Sequence, residues 1–208
     1  MICLFGNQKG GVGKSTLAVL AGNHLSMAKR LSVTVIDMDY QQSITQKFQK
    51  AKVLENDEPY DVVPSNLESY SMLRDTLKRN SDEVILIDLP GKLDDDGLID
   101  VFFTADLVIC PFSYDEFTFQ STVLFALVIK KVNPKIEVFF VPNRIKANVK
   151  FEILSEVNEQ LSRFGKLTSP IPDRIDFQRI TTFHTPDTLN PIIGQVFDEI
   201  LGDRLWTT

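Results

Sequence analysis

Short apolar runs alternate along the chain with longer amphipathic stretches. Five runs are strong and occupy residues 2–6, 32–38, 83–90, 106–112 and 137–143. They are apolar almost throughout and rich in β-branched residues, which is typical of strands that are covered on both faces. Two weaker runs predict a short strand at 60–64 and a last strand at 167–172.

Between these runs, apolar residues recur at spacings of three and four, which predicts helices. The first of these helices, at 15–29, carries Leu17, Leu20 and Leu25 on one face. The other predicted helices occupy residues 118–132, 150–163 and 190–206. Because strands and helices alternate, we expect an α/β fold in which a mostly parallel, twisted sheet is flanked by helices on both faces.

The composition is that of an ordinary globular protein, and 208 residues suit a single domain spanning 1–208. The net charge of −6 counts against a dedicated nucleic-acid binder, although it leaves room for a local basic patch. No apolar run reaches the length of a membrane span and no secretion leader is recognisable, so we expect a cytoplasmic protein. Cys3 and Cys110 lie inside predicted strands, where we expect reduced core thiols.

The stretch GNQKGGVGKST, residues 6–16, lies between a predicted strand and a predicted helix, as a phosphate-binding loop must. Glycines let backbone N–H groups turn toward phosphate, and the N-terminus of the following helix attracts the same charge. Lys14 would reach the β- and γ-phosphates, Ser15 would place its hydroxyl on Mg²⁺, and Thr16 would bond the α-phosphate. The expected nucleotide contacts are therefore Gly10, Gly11, Val12, Gly13, Lys14, Ser15 and Thr16.

The loop departs from the standard G-x-x-x-x-G-K-[ST] pattern at two positions. Gln8 stands where the pattern has a glycine, and Lys9 adds a charge that a standard loop lacks. With this second lysine, KGGVGKST resembles the deviant Walker A loop of the ParA/MinD family, a class of P-loop NTPases that hydrolyse ATP. In that family the extra lysine, here Lys9, crosses a dimer interface and contacts the phosphates bound by the other subunit. The preceding Asn7 and Gln8 resemble partition ParA proteins more than MinD.

A second stretch, DMDYQQS at 37–43, is similar to switch I of the family. The resemblance assigns Asp37 to the Mg²⁺ shell and Asp39 to positioning the attacking water. It makes Lys9, Lys14 and Asp39 the catalytic residues. Tyr40 replaces the proline usual in this motif, which removes a fixed φ angle.

A third stretch, IDLPG at 87–91, follows an apolar run. Asp88 fits a Walker B acid that holds Mg²⁺ through water, and Gly91 fits a switch II glycine whose N–H meets the γ-phosphate. We interpret the acids at 94–96 as residues that favour the start of a helix.

Two shorter motifs resemble the base-binding elements of the family. VPNR follows the fifth strong run, and the family's adenine-recognising asparagine corresponds to Asn143. IPDR at 171–174 resembles the loop that covers the base, which brings Pro172 into the set of nucleotide contacts.

The resemblance covers roughly residues 1–200 and favours the short, single-domain ParA type of plasmids and other mobile elements. The acidic chain end, with Asp198, Glu199 and Asp203 against Arg204, argues against the membrane-binding tail of MinD. The resemblance implies an ATP-bound homodimer, a ParB-like centromere-binding adaptor protein and non-specific DNA binding in the ATP state. The candidate DNA patch comprises Lys130, Lys131, Lys135, Arg144, Lys146 and Lys150.

The main hypothesis is an ATP-dependent dimerising switch that partitions or positions DNA, with slow, partner-stimulated hydrolysis and a nucleoid-associated location. Two alternatives remain open at this point. One is a metabolic ATP-dependent ligase on the same scaffold, of the dethiobiotin synthetase kind. The other is a non-hydrolysing adaptor that uses ATP only to dimerise.

Overall fold

The computed structural model describes residues 1–52, 58–77, 83–91, 97–202 and 204. In this part of the chain, seven strands form one sheet in the order β3-β2-β4-β1-β5-β6-β7, and every neighbouring pair is parallel. The strands are β1 Ile2–Phe5, β2 Ser32–Asp37, β3 Asp61–Pro64, β4 Glu83–Asp88, β5 Leu107–Phe112, β6 Glu137–Pro142 and β7 Lys166–Leu167.

Seven α-helices connect and cover these strands in the described residues. They are α1 Lys14–Asn23, α2 Ser43–Lys52, α3 Leu67–Leu77, α4 Gly97–Thr104, α5 Glu116–Val132, α6 Leu154–Ser162 and α7 Asn190–Leu201. A π-helical turn, His24–Ala28, extends α1, and a 3₁₀-helix, Ile175–Arg179, precedes α7. No helix among the described residues is both long and apolar enough to cross a bilayer.

The sheet separates two apolar cores. One core packs α1 and α7 against the sheet, with Leu20 and Val196 among its buried residues. The other packs α3, α4, α5 and α6 against the opposite face, with Phe102 and Phe125 at its centre. Because β1, β2, β4, β5 and β6 are buried on both faces, the near-continuous apolar runs of the sequence are explained, and the predicted fold class is confirmed.

Three helices and one strand boundary differ from the sequence-based expectation. The pattern does not predict α2 or α3, and for α4 it predicts only a helix start near the acids at 94–96; α2 buries only Ile44 and Phe48. The predicted strand at 167–172 is reduced to β7 and an isolated bridge between Ile145 and Pro172. Prolines within that stretch have no N–H to donate to a ladder, which explains why pairing stops early.

The strand order places the functional chemistry at one edge of the sheet. β1 lies between β4 and β5. After β1 the chain builds the half of the sheet that contains β2, β3 and β4, and after β5 it builds the other half, with β6 and β7. Ligands of open parallel sheets bind at the carboxyl ends of the strands, next to such a reversal of order. The loops that follow β1, β2, β4 and β6 all emerge at this edge.

The close approach of Gly165 to β6 gives a test of this packing. A Cβ on Gly165 would lie 2.1 Å from the backbone oxygen of Val138, so that Gly165→Ala forces the backbone to move. We expect Gly165→Ala to lower the free energy of unfolding by about 1–3 kcal/mol, measured by urea titration. In the control Gly202→Ala, the new Cβ meets no atom of the described residues within 4 Å, and the stability should change little. Equal stability of the two variants would contradict the placement of residue 165.

Candidate functional site

The loop between β1 and α1 owes its shape to two glycines in left-handed conformations. Gly11 has φ 78° and Gly13 has φ 99°, where a side chain would be strained. Gly13 also caps α1, and a Cβ there would lie 2.4 Å from the Asn143 amide nitrogen. Other residues at these two positions would therefore change the course of the loop.

Asn7 fixes the start of the loop to the neighbouring strand and helix. Its buried amide nitrogen donates to the Pro111 carbonyl at 2.9 Å and to the Thr122 hydroxyl at 2.8 Å. Its oxygen accepts from the Lys9 backbone N–H at 3.0 Å. These contacts tie the loop to β5 and α5, a role that sequence reasoning missed because the partners are more than 100 residues away.

Two residues at the end of β6 hold the other side of the loop. The Asn143 amide nitrogen donates to the Val12 carbonyl at 2.8 Å, and Arg144 Nη1 donates to the Gly11 carbonyl at 2.9 Å. Arg144 itself has φ 58°, an unusual conformation for a residue with a side chain. The carbonyls of Val12 and Gly11 are thus hydrogen-bonded to the residues that follow β6. Together with the contacts of Asn7, these bonds hold the loop in place from both sides.

The first turn of α1 provides the positive end of the site. Lys14, Ser15 and Thr16 begin the helix, where unpaired backbone N–H groups and the helix dipole favour an anion. The Lys14 side chain is largely buried, with 6% of the residue exposed. A Cβ built on Gly91 would lie 3.8 Å from Lys14 Nζ, so the structure brings the predicted switch II glycine to the loop lysine.

Asp37 and Asp88 lie side by side beneath the loop. They are in register at the ends of β2 and β4, and both are fully buried. Asp37 Oδ2 accepts from the backbone N–H of Thr45 at 2.8 Å and from its hydroxyl at 2.9 Å. Within the described residues, Asp37 Oδ1 and both oxygens of Asp88 meet no hydrogen-bond donor in acceptable geometry. Thr45 belongs to α2, which explains why the sequence did not reveal it.

Burial raises the pKa of Asp88 to about 7 from an ordinary 3.8. The nearby Ser15 hydroxyl lowers this pKa, although not enough to offset burial, and the neighbouring charge of Asp37 raises it further. Buried carboxylate oxygens without partners are costly, and a divalent cation would relieve that cost. Mg²⁺ takes oxygen ligands and binds through one or two carboxylates together with substrate phosphates and water. The donor set of Ser15, Asp37 and Asp88 therefore fits this ion, which would neutralise phosphate charge.

Asp39 sits in a tight turn between β2 and α2. Its Oδ1 accepts from the Gln41 backbone N–H at 2.9 Å, and its backbone oxygen accepts from Gln42 N–H at 2.9 Å. The turn forms although Tyr40 stands where the family has proline, and the Tyr40 ring is exposed. Asp39 follows the end of β2 by two residues, so it lies at the same edge of the sheet as Asp88, and its charge adds to the rise in the Asp88 pKa. Its catalytic role stays a prediction.

A cavity of about 140 Å³ lies beside Thr16 and Asn143. The segment after β7 forms its far wall, since Ile145 N–H donates to the Ile171 carbonyl at 3.0 Å and Asp173 N–H donates to the Ile145 carbonyl at 2.9 Å. This pairing sets Pro172 opposite Ile145, two residues after Asn143, but Pro172 is not among the residues that line the cavity, and its contact with a base stays a prediction. Phe177 of the 3₁₀-helix also lines the cavity and was not anticipated, because a single aromatic in a turn carries no sequence signal.

Lys9 differs from the other residues of the loop. Its side chain is exposed, and no carboxylate of the described residues lies within 4 Å of its ammonium group. A larger cavity of about 720 Å³ opens beside the neighbouring Gly10 and Gly11 and extends to Asp115 at the start of α5. Within its own subunit, the charge of Lys9 acts on Asp115 from beyond ion-pair distance, which leaves the ammonium group available for a direct contact.

The structure divides the predicted basic patch into two clusters. Lys131 and Lys135 lie near the start of β6, whereas Lys146 and Lys150 follow its end, at the edge that carries the loop. The six residues of β6 separate the clusters by about 17 Å. Lys130 and Arg144 are committed to backbone carbonyls of Ile136 and Gly11. The acids at 94–96, which the sequence analysis interprets as favouring a helix start, lie outside the described residues.

Comparisons with known proteins agree with this geometry. Residues 3–186 match the sequence profile described as the CobQ/CobB/MinD/ParA nucleotide binding domain. No curated protein sequence matches the chain significantly. Among solved structures, one described as a plasmid partition protein from Borrelia burgdorferi B31 bound to AMPPNP is 24% identical, with 97% of this chain and 98% of that chain covered and a TM-score of 0.77.

Two further structures show the same fold at lower identity. Apo McdA of Cyanothece is 16% identical, with 97% of this chain and 98% of that chain covered and a TM-score of 0.76. The MinD cell division protein of Aquifex aeolicus is 17% identical, with 97% of each chain covered and a TM-score of 0.72. At these identities the likeness establishes the P-loop fold.

The pKa of Asp88 gives a pH-dependent prediction. Between about pH 4 and about pH 7, the folded protein holds a proton on this carboxyl that the unfolded chain has lost, so stability falls as the pH rises through this window. Above pH 7 the full penalty of about 4 kcal/mol applies. Asp88→Asn removes it, and the free variant should be more stable than wild type at pH 8, by a margin that shrinks toward pH 5.

Urea unfolding at each pH, without nucleotide or metal, measures this margin. Asp61→Asn is the control, because Asp61 is an exposed carboxylate at the start of β3. A margin for Asp88→Asn that does not depend on pH would show that the carboxyl is not held neutral in the folded protein.

Proposed function

Because the chain belongs to the CobQ/CobB/MinD/ParA nucleotide binding domain family, we propose that it is an ATPase whose ATP-bound dimer partitions or positions DNA. In this proposal ATP and Mg²⁺ occupy the site at the carboxyl edge of the sheet. The bound nucleotide favours dimers, and hydrolysis returns the protein to monomers.

The exposed Lys9 is the observation that carries this proposal. Lys14 already brings one buried ammonium to the anion site, so a second lysine has no evident work within its own subunit. Asn7 fixes the Lys9 backbone, which limits the directions in which the side chain can extend. A partner's triphosphate would offer Lys9 a direct ion-pair partner, whereas a monomeric ligase has no use for such a lysine.

Each residue of the site has a place in ATP hydrolysis. Phosphoryl transfer is catalysed mainly by positioning and by neutralising charge on the phosphates. Lys14 and the partner's Lys9 would neutralise the γ-phosphate, Ser15, Asp37 and Asp88 would hold Mg²⁺, and Asp39 would orient the attacking water. No described side chain offers a strong general base beside them, so turnover should be slow and suit a timer. A ParB-like adaptor protein would accelerate it.

The base end of the site supports adenine as the bound base. Asn143 presents a side-chain amide to the 140 Å³ cavity, and Phe177 provides an aromatic wall. An amide can pair with both the donor and the acceptor on the edge of adenine. The nucleotide would have to share Asn143 with Val12, whose carbonyl the amide now binds.

The cluster of Lys146 and Lys150 is the better candidate for contact with DNA. Both side chains are exposed, and Lys146 lines the 720 Å³ cavity beside the loop. Dimerisation through the loop edge would bring two copies of this cluster onto one assembly, which links DNA binding to ATP. Lys131 and Lys135 lie at the opposite edge of the sheet and have no such link. Binding of this kind would associate the protein with the nucleoid.

Lys9→Ala tests the dimer directly. The variant should keep its ATP affinity but lose ATP-dependent dimers, because each dimer loses two charge-assisted contacts. We expect the dimer to weaken by at least about 100-fold. Isothermal calorimetry measures ATP binding, and light scattering with ATP and Mg²⁺ measures the dimer.

Two variants serve as controls for Lys9→Ala. Lys14→Ala should lose ATP binding itself, and Asp39→Ala should bind and dimerise yet hydrolyse ATP more slowly. If Lys9→Ala dimerises with ATP as wild type does, the proposed two-subunit site is wrong.

DNA binding gives a second test. With ATP, the protein should retain duplex DNA of any sequence, with an affinity that falls steeply with salt. Reversing both Lys146 and Lys150 to Glu should abolish retention in a gel shift, whereas Lys131→Glu with Lys135→Glu should leave most of it. Retention that is equal without ATP, or that only the second pair removes, would contradict the assignment.

A further inference from the structure

Five large apolar side chains are exposed on α4 and α5. Phe103 is 71% exposed and Phe117 72%, and Ile99, Leu124 and Leu127 are each about half exposed. Soluble monomers seldom display apolar side chains in such a cluster, and exposed apolar patches mark interaction sites. This face differs from the nucleotide edge, since it is formed by helices that cover one side of the sheet.

The packing of α4 directs Ile99 and Phe103 toward α5. On the inner side, Phe102 meets Phe125 of α5 edge to face, with ring centroids 6.2 Å apart. On the other flank, Asp100 pairs with Arg74 of α3, and Thr104 bonds the Tyr70 hydroxyl of α3. Successive residues of an α-helix are rotated by about 100°, so residues 99 and 103 lie one such step from the buried residues 98 and 102. This rotation places them on the side of α4 that faces away from α3. They therefore form the outer shoulder next to α5.

The outer face of α5 has an apolar centre and opposite charges at its ends. Phe117, Leu124 and Leu127 recur along one stripe of the helix. Glu116 lies at the N-terminal end of that stripe and Lys131 at the C-terminal end, and both are exposed. Within the described residues neither has an ion-pair partner within 4 Å. Gln120 donates one long bond of 3.3 Å to Glu116.

This arrangement is complementary to itself. Glu116 and Lys131 are 15 positions apart, and the midpoint between them falls at residues 123 and 124. If two copies of α5 pack antiparallel about a two-fold axis at Leu124, Glu116 of each copy faces Lys131 of the other. The same rotation brings the apolar stripes together, as an isologous interface requires.

We propose that a second copy of this chain docks on the α4–α5 face through antiparallel packing of α5 against α5. Apolar contacts around Leu124 form the centre of the interface, and two Glu116–Lys131 pairs at the rim set its direction. The apolar centre of this interface uses neither Lys9 nor the nucleotide, although its rim at Glu116 adjoins Asp115 of the cavity beside the loop. A protein with both interfaces forms assemblies larger than a dimer when ATP is bound.

The experiment is sedimentation velocity of the full chain without nucleotide and with a chelator, from about 1 μM to about 100 μM. Wild type should shift from monomer toward dimer over this range. Leu124→Glu places two carboxylates against each other at the axis and should abolish the shift. Met72→Glu is the control, since Met72 is an exposed apolar residue on α3, outside the proposed interface, and it should associate as wild type does.

A charge-reversal pair tests the antiparallel direction. Glu116→Lys alone and Lys131→Glu alone each place like charges at both ends, so each should weaken association by about tenfold or more. Mixing the two variants restores opposite charges at both ends, and the mixture should associate as well as wild type. If one variant failed to fold, mixing would not restore association. Restored association therefore shows that both variants are folded and that the charges face each other across the interface.

Three results would overturn the proposal. They are a wild type that stays monomeric at the highest concentration, a Leu124→Glu variant that still dimerises, and a mixture no stronger than its components. The first of these would also be the outcome if the face binds a different protein. Because no nucleotide is present, failure here leaves the ATP-linked dimer untouched.

Discussion

Two buried carboxylates on adjacent strands, Asp37 and Asp88, set the physical constraint on this site. Their register in the parallel sheet brings like charges together in a place that water does not reach, and three of their four oxygens meet no donor among the described residues. Such an arrangement lowers stability in the free protein, as the raised pKa of Asp88 shows. A divalent cation held by both carboxylates would offset this cost, so that the penalty in the free protein would be linked to the benefit of binding.

The loop above these acids shows the opposite design, because it is braced before any ligand arrives. Asn7 ties it to β5 and α5, and Asn143 and Arg144 tie it to β6. Donors that are already in position cost little reorganisation when phosphate binds. Lys9 is the exception, since its backbone is fixed while its side chain stays exposed. The buried Lys14 can serve a phosphate in its own subunit, whereas the exposed Lys9 can reach a neighbouring one.

The sequence predicts the parts of this structure that depend on local pattern. Continuous apolar runs end in Asp37, Asp88 and Asn143, and parallel strands bring their carboxyl ends to one edge, so these residues could be placed together in advance. What could not be predicted depends on distant contacts: Thr45 on a helix with two buried apolar residues, and Phe177 in a 3₁₀ turn. The basic patch shows the converse error. Residues 131 and 146 are close in sequence, but β6 carries the chain across the sheet between them, and closeness in sequence is then no guide to a shared surface.

Asp37 connects the cation site to the surface of the molecule. One of its oxygens holds the first turn of α2 through Thr45, and the other is left for the site. The turn that carries Asp39 and the exposed Tyr40 lies between Asp37 and α2, with both ends fixed to these elements. A ligand that draws on Asp37 therefore acts on the same side chain that positions this turn. A bound nucleotide can shift the conformation of this turn only if the cation binds one conformation more tightly than the other. The size of the shift is set by how much the Asp37–Thr45 hydrogen bonds strengthen or weaken when the cation is bound. The exposed surface at Tyr40 is thus joined to the proposed cation site through the hydrogen bonds between Asp37 and Thr45, whereas the α4–α5 face has no such link through Asp37.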